Sequence, residues 1–395
     1  MSVPLRVLAL SFLLLVPAAP AVADDHDTSY TVGSTAKIAV SPAEAEDLRT
    51  LAGSLGISFD EARDRFAGQE LFAAAVDVAR RTDPQAFSTA TWTPESEHSA
   101  EIAFVGTPSP KVAAALAALP YSVAVSEDAA RTEADFEKDH IAIQEAIAAL
   151  PGVARVQSWG DPATGRLTVT YDTVAESVAT TADAVTATAA RVARGQLDLE
   201  LIPGGAGVGV LTAIVGGNPL LDCTAGFTVT SVSSTGVSTA AHCDNGVPQT
   251  YYGGSYATFG AASAASNGDL QWHKFVGAVA VTNKFRYTSA GGERFVTSAT
   301  NPVAGSAICY WGKTSGNHCG TVQTANLCDS SWCRLFSATP STLQPGDSGG
   351  PWYYGNVGKG ISHGYVTNGI GVRLYDLATQ IGAHSYLGLA VKVTP

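Results

Sequence analysis

The pattern of apolar and polar positions divides the 395-residue chain into two parts. Between residues 24 and 200, stretches with apolar residues three or four positions apart alternate with short runs rich in β-branched residues. The first pattern predicts amphipathic helices and the second predicts strands. Helices are expected over 59–80, 111–119, 137–150 and 176–194, and strands over 101–105, 122–125, 154–159 and 166–171. This part is therefore predicted to be an α+β domain.

From residue 213 onward the pattern changes to short runs of Val, Thr, Tyr and Phe, which Gly, Asn, Ser or Asp interrupt every few residues. Many short strands separated by turn residues are typical of an all-β barrel or sandwich. Residues 201–212 separate the two parts and contain a glycine-rich stretch at 203–209. Such a stretch predicts a flexible linker whose backbone a protease could cleave.

The first 23 residues have the features of a secretion signal. Arg6 precedes an apolar run over 7–16 that is too short to cross a bilayer, and Ala21-Val22-Ala23 provides a small-x-small cleavage site. No later segment has about 18 uninterrupted apolar residues, the length that a membrane-spanning helix needs. We therefore expect an exported protein that is not membrane-bound once residues 1–23 are removed.

Charge is unevenly shared between the two parts. Residues 24–212 carry 28 acidic and 13 basic side chains, whereas residues 213–395 carry 7 and 9. The acidic part could bind the near-neutral one, or its charges could simply cover solvated helix surfaces. The chain has no basic stripe with interleaved aromatic residues, so nucleic-acid binding is not expected.

All six cysteines lie between residues 223 and 333. An even number of cysteines in one domain of an exported chain predicts three disulfides. Six cysteines allow 15 pairings, and the sequence alone does not choose among them. The spacings do not form two CxxC pairs, so a zinc site is not expected, and no other metal or cofactor is predicted.

Three motifs supply the residue types of nucleophilic catalysis. His242 lies in Thr-Ala-Ala-His-Cys at 239–243, Asp269 lies in Asn-Gly-Asp-Leu-Gln-Trp-His at 267–273, and Ser348 lies in Gly-Asp-Ser-Gly-Gly-Pro at 346–351. A serine hydroxyl needs an imidazole to take its proton and a carboxylate to orient that imidazole. We assign these roles to Ser348, His242 and Asp269. The backbone N–H groups of Gly346 and Ser348 are the expected oxyanion donors.

The motifs resemble those of chymotrypsin-like serine proteases, and their surroundings resemble the bacterial alpha-lytic protease and streptogrisin branch. Three further segments carry this resemblance: Ala-Ile-Val-Gly-Gly at 213–217 followed by Cys-Thr-Ala-Gly-Phe at 223–227, the short cysteine loop at 309–320, and Ile-Ser-Phe-Asp-Glu-Ala at 57–62. The first resembles a mature amino terminus, the second a disulfide loop and the third part of a pro-region.

The resemblance implies an architecture. Residues 213–395 would form two six-stranded antiparallel barrels, with His242 and Asp269 from the first barrel and Ser348 from the second. Residues 24–200 would be a pro-region that catalyses folding and inhibits the enzyme until it is removed. The partners would be polypeptide substrates and this pro-region, and the mature enzyme would be a monomer.

The resemblance also implies disulfide pairs and a substrate pocket. The disulfides would be Cys223–Cys243, Cys309–Cys319 and Cys328–Cys333. Asp347 would anchor the nucleophile loop through an ion pair, with Lys313 or Arg334 as candidate partners. The pocket for the P1 side chain would be lined by Thr342, Leu343, Gln344, Ser362, His363 and Gly364.

The pocket residues bear on substrate preference. Because no aspartate occupies the pocket floor, a preference for Lys or Arg is not expected, and apolar or aromatic P1 side chains are favoured. The alternative is that His363, with Thr342 or Ser362, recognises a glutamate side chain.

Two alternatives involve a different fold or a different function. Gly346-x-Ser348-x-Gly350 also fits the nucleophile elbow of α/β-hydrolases, with Asp376 and His384 in the required order. Only 47 residues follow Ser348, which is too few for that fold. A protease-like binding module without catalysis is the second alternative, but no member of the triad is missing.

Overall fold

The structure is a computed structural model that describes residues 30–32, 38–96, 98–173, 178–193, 195, 197–203, 207–210, 223–243, 250–252, 255–275, 281–368 and 371–393. The predicted signal peptide and residues 213–217, the first part of the segment that resembles a mature amino terminus, lie outside these residues. Within the described ranges, no helix combines the length and the apolar character that crossing a membrane requires.

The N-terminal region comprises the described residues up to 210 and contains helices and strands in alternation. Its helices are α1 (Pro42–Leu55), α2 (Phe59–Phe66), α3 (Gln69–Thr82), α4 (Pro110–Ala117), α5 (Glu133–Ala148) and α6 (Val178–Ala193). Its strands are β1 (Tyr30–Val32), β2 (Phe87–Trp92), β3 (Ala100–Phe104), β4 (Val123–Ser126), β5 (Val153–Asp161), β6 (Arg166–Thr173), β7 (Asp198–Pro203) and β8 (Gly207–Val210). The α+β class expected for this region is confirmed.

The helix predicted over residues 59–80 is wrong in one respect, because the structure divides it into α2 and α3. Gly68 lies between them with φ +89°, a backbone conformation that costs glycine little and other residues much. A Cβ at this position would also lie 2.8 Å from Cδ1 of Ile38. The hydroxyl of Tyr121, two residues before β4, donates to the Gly68 carbonyl and so links the junction of α2 and α3 to the sheet.

The N-terminal region has two sheets with separate roles. Strands β1, β4, β3 and β2 form one sheet, and the apolar core beneath it continues into the C-terminal domain. Strands β5, β6 and β7 form the second, and α5 and α6 pack on it around Phe136, Ile143 and Leu167. β5 pairs with a strand of the C-terminal domain, so this sheet extends across the boundary between the two parts.

The C-terminal domain comprises the described residues from 223 to 393, most of which lie in strands. They are β9 (Thr228–Thr230), β10 (Thr235–Thr239), β11 (Thr250–Tyr252), β12 (Ser255–Ala262), β13 (Gln271–Phe275), β14 (Lys284–Arg286), β15 (Glu293–Phe295), β16 (Ser298–Ala299), β17 (Ala307–Gly312), β18 (Gly316–Asp329), β19 (Trp332–Thr339), β20 (Pro351–Tyr354), β21 (Val357–Thr367), β22 (Arg373–Gln380) and β23 (Ala390–Val391). Two short 3-10 helices, Ala265–Asn267 and Ile381–Leu387, complete it.

These strands form two main sheets that meet at the motifs containing His242, Asp269 and Ser348. Strands β11, β12, β13, β10, β9 and β23 form the first sheet. In the second, β17, β20, β21, β22, β19 and β18 pair in this order, and β17 also pairs with β18, which closes a ring of six strands. Disulfides join Cys223 to Cys243, Cys309 to Cys319 and Cys328 to Cys333.

The described part of the expected flexible linker lies in strands. β7 pairs in parallel with β6, and β8 pairs antiparallel with β21, with Val210 opposite Gly364. The glycine-rich composition predicted a flexible chain. Glycine also permits close approach to another backbone, and here residues 207–210 lie directly against a strand of the C-terminal domain.

Candidate active site

The structure brings His242, Asp269 and Ser348 together as a hydrogen-bonded chain. Nε2 of His242 lies 3.0 Å from Oγ of Ser348, and Nδ1 lies 2.5 Å from Oδ2 of Asp269. The backbone N–H of His242 donates to Oδ1 of the same carboxylate at 2.9 Å. Asp269 and Ser348 are buried, and the His242 side chain is 8% exposed. The arrangement allows a proton to pass from the serine to the imidazole while the carboxylate holds the ring.

Local contacts fix each member of this chain. His242 follows β10, where the Thr239 hydroxyl donates to the Thr224 carbonyl and the Cys223–Cys243 disulfide ties the turn to the preceding segment. Asp269 precedes β13, and its backbone N–H donates to the Thr379 hydroxyl at 3.2 Å. The two residues therefore come from the first sheet, while Ser348 precedes β20 of the second.

Glycines determine the shape of the loop that carries Ser348. Gly346 has φ +112° and Gly349 has φ +80°, both in the region that side chains disfavour. A Cβ on Gly349 would overlap the Thr224 carbonyl, and one on Gly350 would lie 2.5 Å from the Trp311 carbonyl oxygen. The Ser348 carbonyl in turn accepts from the Thr224 N–H, so the loop is held against the segment before β9.

The expected ion pair of Asp347 is wrong, because neither Lys313 nor Arg334 reaches this carboxylate among the described residues. Asp347 accepts instead from the N–H groups of Thr314 at 2.9 Å and Gln344 at 2.7 Å, and from the Ser315 hydroxyl at 2.5 Å. Backbone and hydroxyl donors stabilise an ionised carboxylate without a cation. Arg334 pairs with Glu137 of the N-terminal region.

His363 contacts the same oxygen of Asp269 as His242 does. Its Nδ1 lies 2.6 Å from Oδ2 of Asp269, and its Nε2 lies 3.5 Å from Oδ2 of Asp329. Asp329, the last residue of β18, is only 2% exposed. The sequence carries no spacing signal for this contact, since 94 residues separate Asp269 from His363.

The buried charges shift the pKa values of this cluster. Burial disfavours the ionised form of Asp269, but hydrogen bonds and attraction from His242 and His363 outweigh it and hold the pKa of Asp269 well below its usual range. Burial also disfavours a charged His363. The hydrogen bonds to Asp269 and Asp329 outweigh this effect and raise the pKa of His363 to about 9.

The predicted pocket residues lie in two segments, 342–344 and 362–364. The N–H groups of Thr342 and Leu343 donate to Asp376, and Gln344 is exposed. On β21, the Ser362 hydroxyl accepts from Trp352 Nε1 at 3.0 Å, and Gly364 lies opposite Val210. His363 differs from the expectation, because both of its ring nitrogens face carboxylates inside the protein. Sequence reasoning also missed Asp376 as the group that holds residues 341–343.

The alternative triad of an α/β-hydrolase does not assemble. Asp376 accepts hydrogen bonds from Ser341, Thr342 and Leu343, and Nδ1 of His384 lies 2.8 Å from the Ile381 carbonyl oxygen. Burial raises the pKa of Asp376 to about 6, against the opposing effect of these donors. Both residues therefore have structural partners away from Ser348.

Comparison with known proteins places the chain among serine proteases. No protein-family model matches it. Streptogrisin-C of Streptomyces griseus is 30% identical over 155 residues, which are 36% of this chain and 32% of that protein. The chain thus matches about a third of the length of this curated relative.

Solved structures resemble the chain over about half of its length. Thermobifida fusca protease A is 30% identical, with a TM-score of 0.38, and the match covers 46% of this chain and all of that one. A glutamic acid-specific serine protease that uses a histidine triad in substrate binding is 25% identical, with a TM-score of 0.38, and the match covers 46% of this chain and 97% of that one. Together with the motifs around His242, Asp269 and Ser348, these sequence similarities show that the chain belongs to the chymotrypsin-like serine proteases, in the bacterial branch of the streptogrisins and alpha-lytic protease.

Proposed function

We propose that the chain is the precursor of a secreted serine endopeptidase that cleaves polypeptides through an acyl-enzyme on Ser348. The observation that carries the proposal is the continuous set of contacts from Ser348 through His242 to Asp269. Secretion rests on the signal-like residues 1–23 and on the disulfides of the C-terminal domain. The mature enzyme would comprise residues 213–395.

The reaction follows from the positions of the three side chains. As Oγ of Ser348 attacks the scissile carbonyl carbon, Nε2 of His242 takes the hydroxyl proton. The imidazolium then gives this proton to the departing amine, and the acyl group stays on Ser348. Water attacks the ester next, with His242 again as the base, which releases the carboxylic acid and restores the serine. Asp269 holds the ring so that Nε2, rather than Nδ1, faces Ser348.

The N–H groups of Gly346 and Ser348 would stabilise the negative charge that develops on the carbonyl oxygen. Each such donor contributes roughly 3–4 kcal/mol to the transition state in related acyl transfers. The φ of +112° at Gly346 and the hydrogen bond from the Thr224 hydroxyl to the Gly346 carbonyl support this role, since they fix the conformation of the loop that carries both N–H groups.

The N-terminal region would act as a pro-region that assists folding and inhibits the enzyme. Two kinds of contact support this proposal. β8 pairs antiparallel with β21, the strand of the proposed pocket, as a bound substrate chain would. Acidic side chains of the N-terminal region also meet cations of the C-terminal domain: Arg294 with Asp47, Lys359 with Glu70, and Arg334 with Glu137. These pairs favour association over a merely solvated acidic surface as the explanation of the charge asymmetry.

We propose an apolar or aromatic P1 side chain as the preferred substrate. Recognition of glutamate would require a cationic or hydrogen-bonding group that points into the pocket. The candidate for that role, His363, uses both ring nitrogens on Asp269 and Asp329, which supports the apolar preference. A cleavage profile of a peptide library by the mature enzyme distinguishes the two preferences.

Covalent labelling tests the enzymatic function against that of a binding module. The processed protein should react with a fluorophosphonate at Ser348 and should cleave denatured protein substrates. Ser348→Ala, which removes the nucleophile, serves as the matched control and should do neither. A folded, disulfide-bonded domain that neither labels nor cleaves would contradict the proposal.

A further inference from the structure

Two histidines from different sheets converge on one oxygen of the catalytic carboxylate. Nδ1 of His242 and Nδ1 of His363 lie 2.5 and 2.6 Å from Oδ2 of Asp269. His363 belongs to β21 of the second sheet, whereas Asp269 precedes β13 of the first. The contact therefore joins the carboxylate to the same sheet that carries the proposed pocket and Ser348.

His363 has acceptors on both sides of its ring. Nε2 faces Oδ2 of Asp329 at 3.5 Å, and His363, Asp269 and Asp329 are 0%, 0% and 2% exposed. A neutral imidazole has one donor and would present a lone pair to one of these carboxylates, whereas an imidazolium donates from both nitrogens. Two buried carboxylates also need a compensating charge. The geometry thus fits the charged ring, in line with the raised pKa of His363.

We propose that His363 is a positioning residue of the active site: as an imidazolium bridging Asp269 and Asp329, it fixes the carboxylate on which His242 depends. This inference rests on the proposed serine protease function. It assigns His363 to the support of the triad rather than to recognition of the P1 side chain.

The bridge has an electrostatic consequence for His242. The titratable groups that face His363 are Asp269, Asp329 and His242, whose ring centre lies 5.7 Å away. Tyr375 of β22 faces Asp329, and its pKa, which burial raises to about 12, keeps it neutral. The positive charge of His363 lies closer to His242 than the negative charge of Asp329 does, because Asp329 binds the far side of the His363 ring. The charge of the bridge that lies nearest to the His242 ring is therefore positive.

Two substitutions separate the two hydrogen bonds of His363. The amide nitrogen of His363→Asn can occupy the place of Nδ1 and still donate to Asp269. The amide nitrogen of His363→Gln reaches the place of Nε2 and donates to Asp329 instead. In enzyme produced from the full chain, we expect His363→Asn to keep kcat within about tenfold of the wild type and His363→Gln to lose about a hundredfold, with KM little changed.

The pH dependence of kcat/KM also tests the role of His363, because a residue that only supports the fold would leave this dependence unchanged. The double variant His363→Asn with Asp329→Asn removes the nearer cation and the farther anion, so the electrostatic potential at the active site becomes more negative. The acidic limb of kcat/KM should then move to higher pH by about one unit. Fluorophosphonate titration of each preparation measures the concentration of enzyme with a reactive Ser348, so that kcat refers to active enzyme alone.

The outcomes distinguish failure of this inference from failure of the proposed function. A wild-type enzyme that neither labels nor cleaves would refute the function itself. An active wild type with equal kcat in the Asn and Gln variants and an unmoved acidic limb would overturn the role of His363. If the His363 variants fail to fold, a measurement that leaves His363 unchanged still tests the inference. Nitrogen NMR of the Ser348→Ala chain near pH 7 should show both ring nitrogens of His363 protonated. A neutral His363 ring would also overturn the inference.

Discussion

The carboxylate of Asp47 in α1 accepts hydrogen bonds on both oxygens, each at 2.8 Å, from the guanidinium of Arg294 in β15. Asp47 is fully buried, and it also accepts from the Gly355 N–H at 2.6 Å. The neighbouring Glu46 binds the same guanidinium at 3.0 Å, but its side chain is 45% exposed. Two adjacent carboxylates of the proposed pro-region thus reach one cation of the protease domain in different environments.

This difference predicts unequal effects of truncation. Asp47→Ala leaves Arg294 buried without its main partner, which costs roughly 3–5 kcal/mol. The separately produced pro-region should then inhibit the mature enzyme at least a hundredfold more weakly. The matched control Glu46→Ala removes an exposed contact and should weaken inhibition only a few-fold. Equal inhibition constants for the two variants would show that burial of the Asp47 pair does not stabilise the complex.

The contacts of the triad predict strongly non-additive kinetics. Ser348→Ala should lower kcat by a factor on the order of 10⁶, and His242→Ala by a comparable factor, because the two groups carry out one proton transfer. The double variant should be no slower than either single variant. Steady-state assays of protein freed of contaminating proteases provide the measurement. A double variant slowed by the product of the two factors would mean that the residues act independently.

The register of β8 on β21 predicts the position of maturation. Val210 of β8 lies opposite Gly364 of β21. Two residues before Gly364 on β21, the Ser362 carbonyl accepts from the N–H of Gly349, which follows the nucleophile Ser348. β8 thus runs toward the nucleophile and ends at Val210. We therefore expect autocatalytic cleavage between Val210 and Ala213, which sequencing of the mature amino terminus would reveal. Unchanged processing of the Ser348→Ala precursor, expressed without other proteases, would instead assign maturation to another enzyme.

The parts of the molecule that depend on local sequence were the most predictable. The helices α4, α5 and α6 and the strands β3 to β6 lie within a few residues of the predicted ranges, because their apolar periodicity is regular. The all-β class of the C-terminal domain could also be predicted, from its short runs of strand-forming residues. α1 was not predicted, although Ser41 and Glu44 form a capping box at its start.

Features that depend on distant contacts could not be predicted. Asp347 accepts mainly from backbone N–H groups, including those of residues 314 and 344, and N–H donors leave no trace in the sequence. Asp329 and His363 are separated by 34 residues and lie on different strands, β18 and β21, which the folded sheet brings together. The sequence contained the candidate residues in each case, but tertiary packing selected their partners.

Buried histidines predict a loss of stability in mild acid. His140 of α5 is buried, with Nε2 2.7 Å from the Ser158 hydroxyl, and burial lowers the pKa of His140 to about 4. In the unfolded chain a histidine has a pKa of about 6.5. Between pH 6.5 and 4 the unfolded chain therefore binds a proton that the folded chain does not, so stability falls as the pH falls through this window.

His140 alone should remove about 3 kcal/mol of the free energy of unfolding between pH 6.5 and pH 4. His384 of the C-terminal domain, whose pKa burial also lowers to about 4, adds a separate loss there. Urea unfolding of the Ser348→Ala precursor at pH 7 and pH 4.5 measures the effect without autolysis. His140→Gln should reduce the difference between the two midpoints, whereas His98→Gln, at a partly exposed histidine of the same region, should leave it unchanged. An equal difference in the His140→Gln and parent proteins would mean that His140 is already protonated in the folded state.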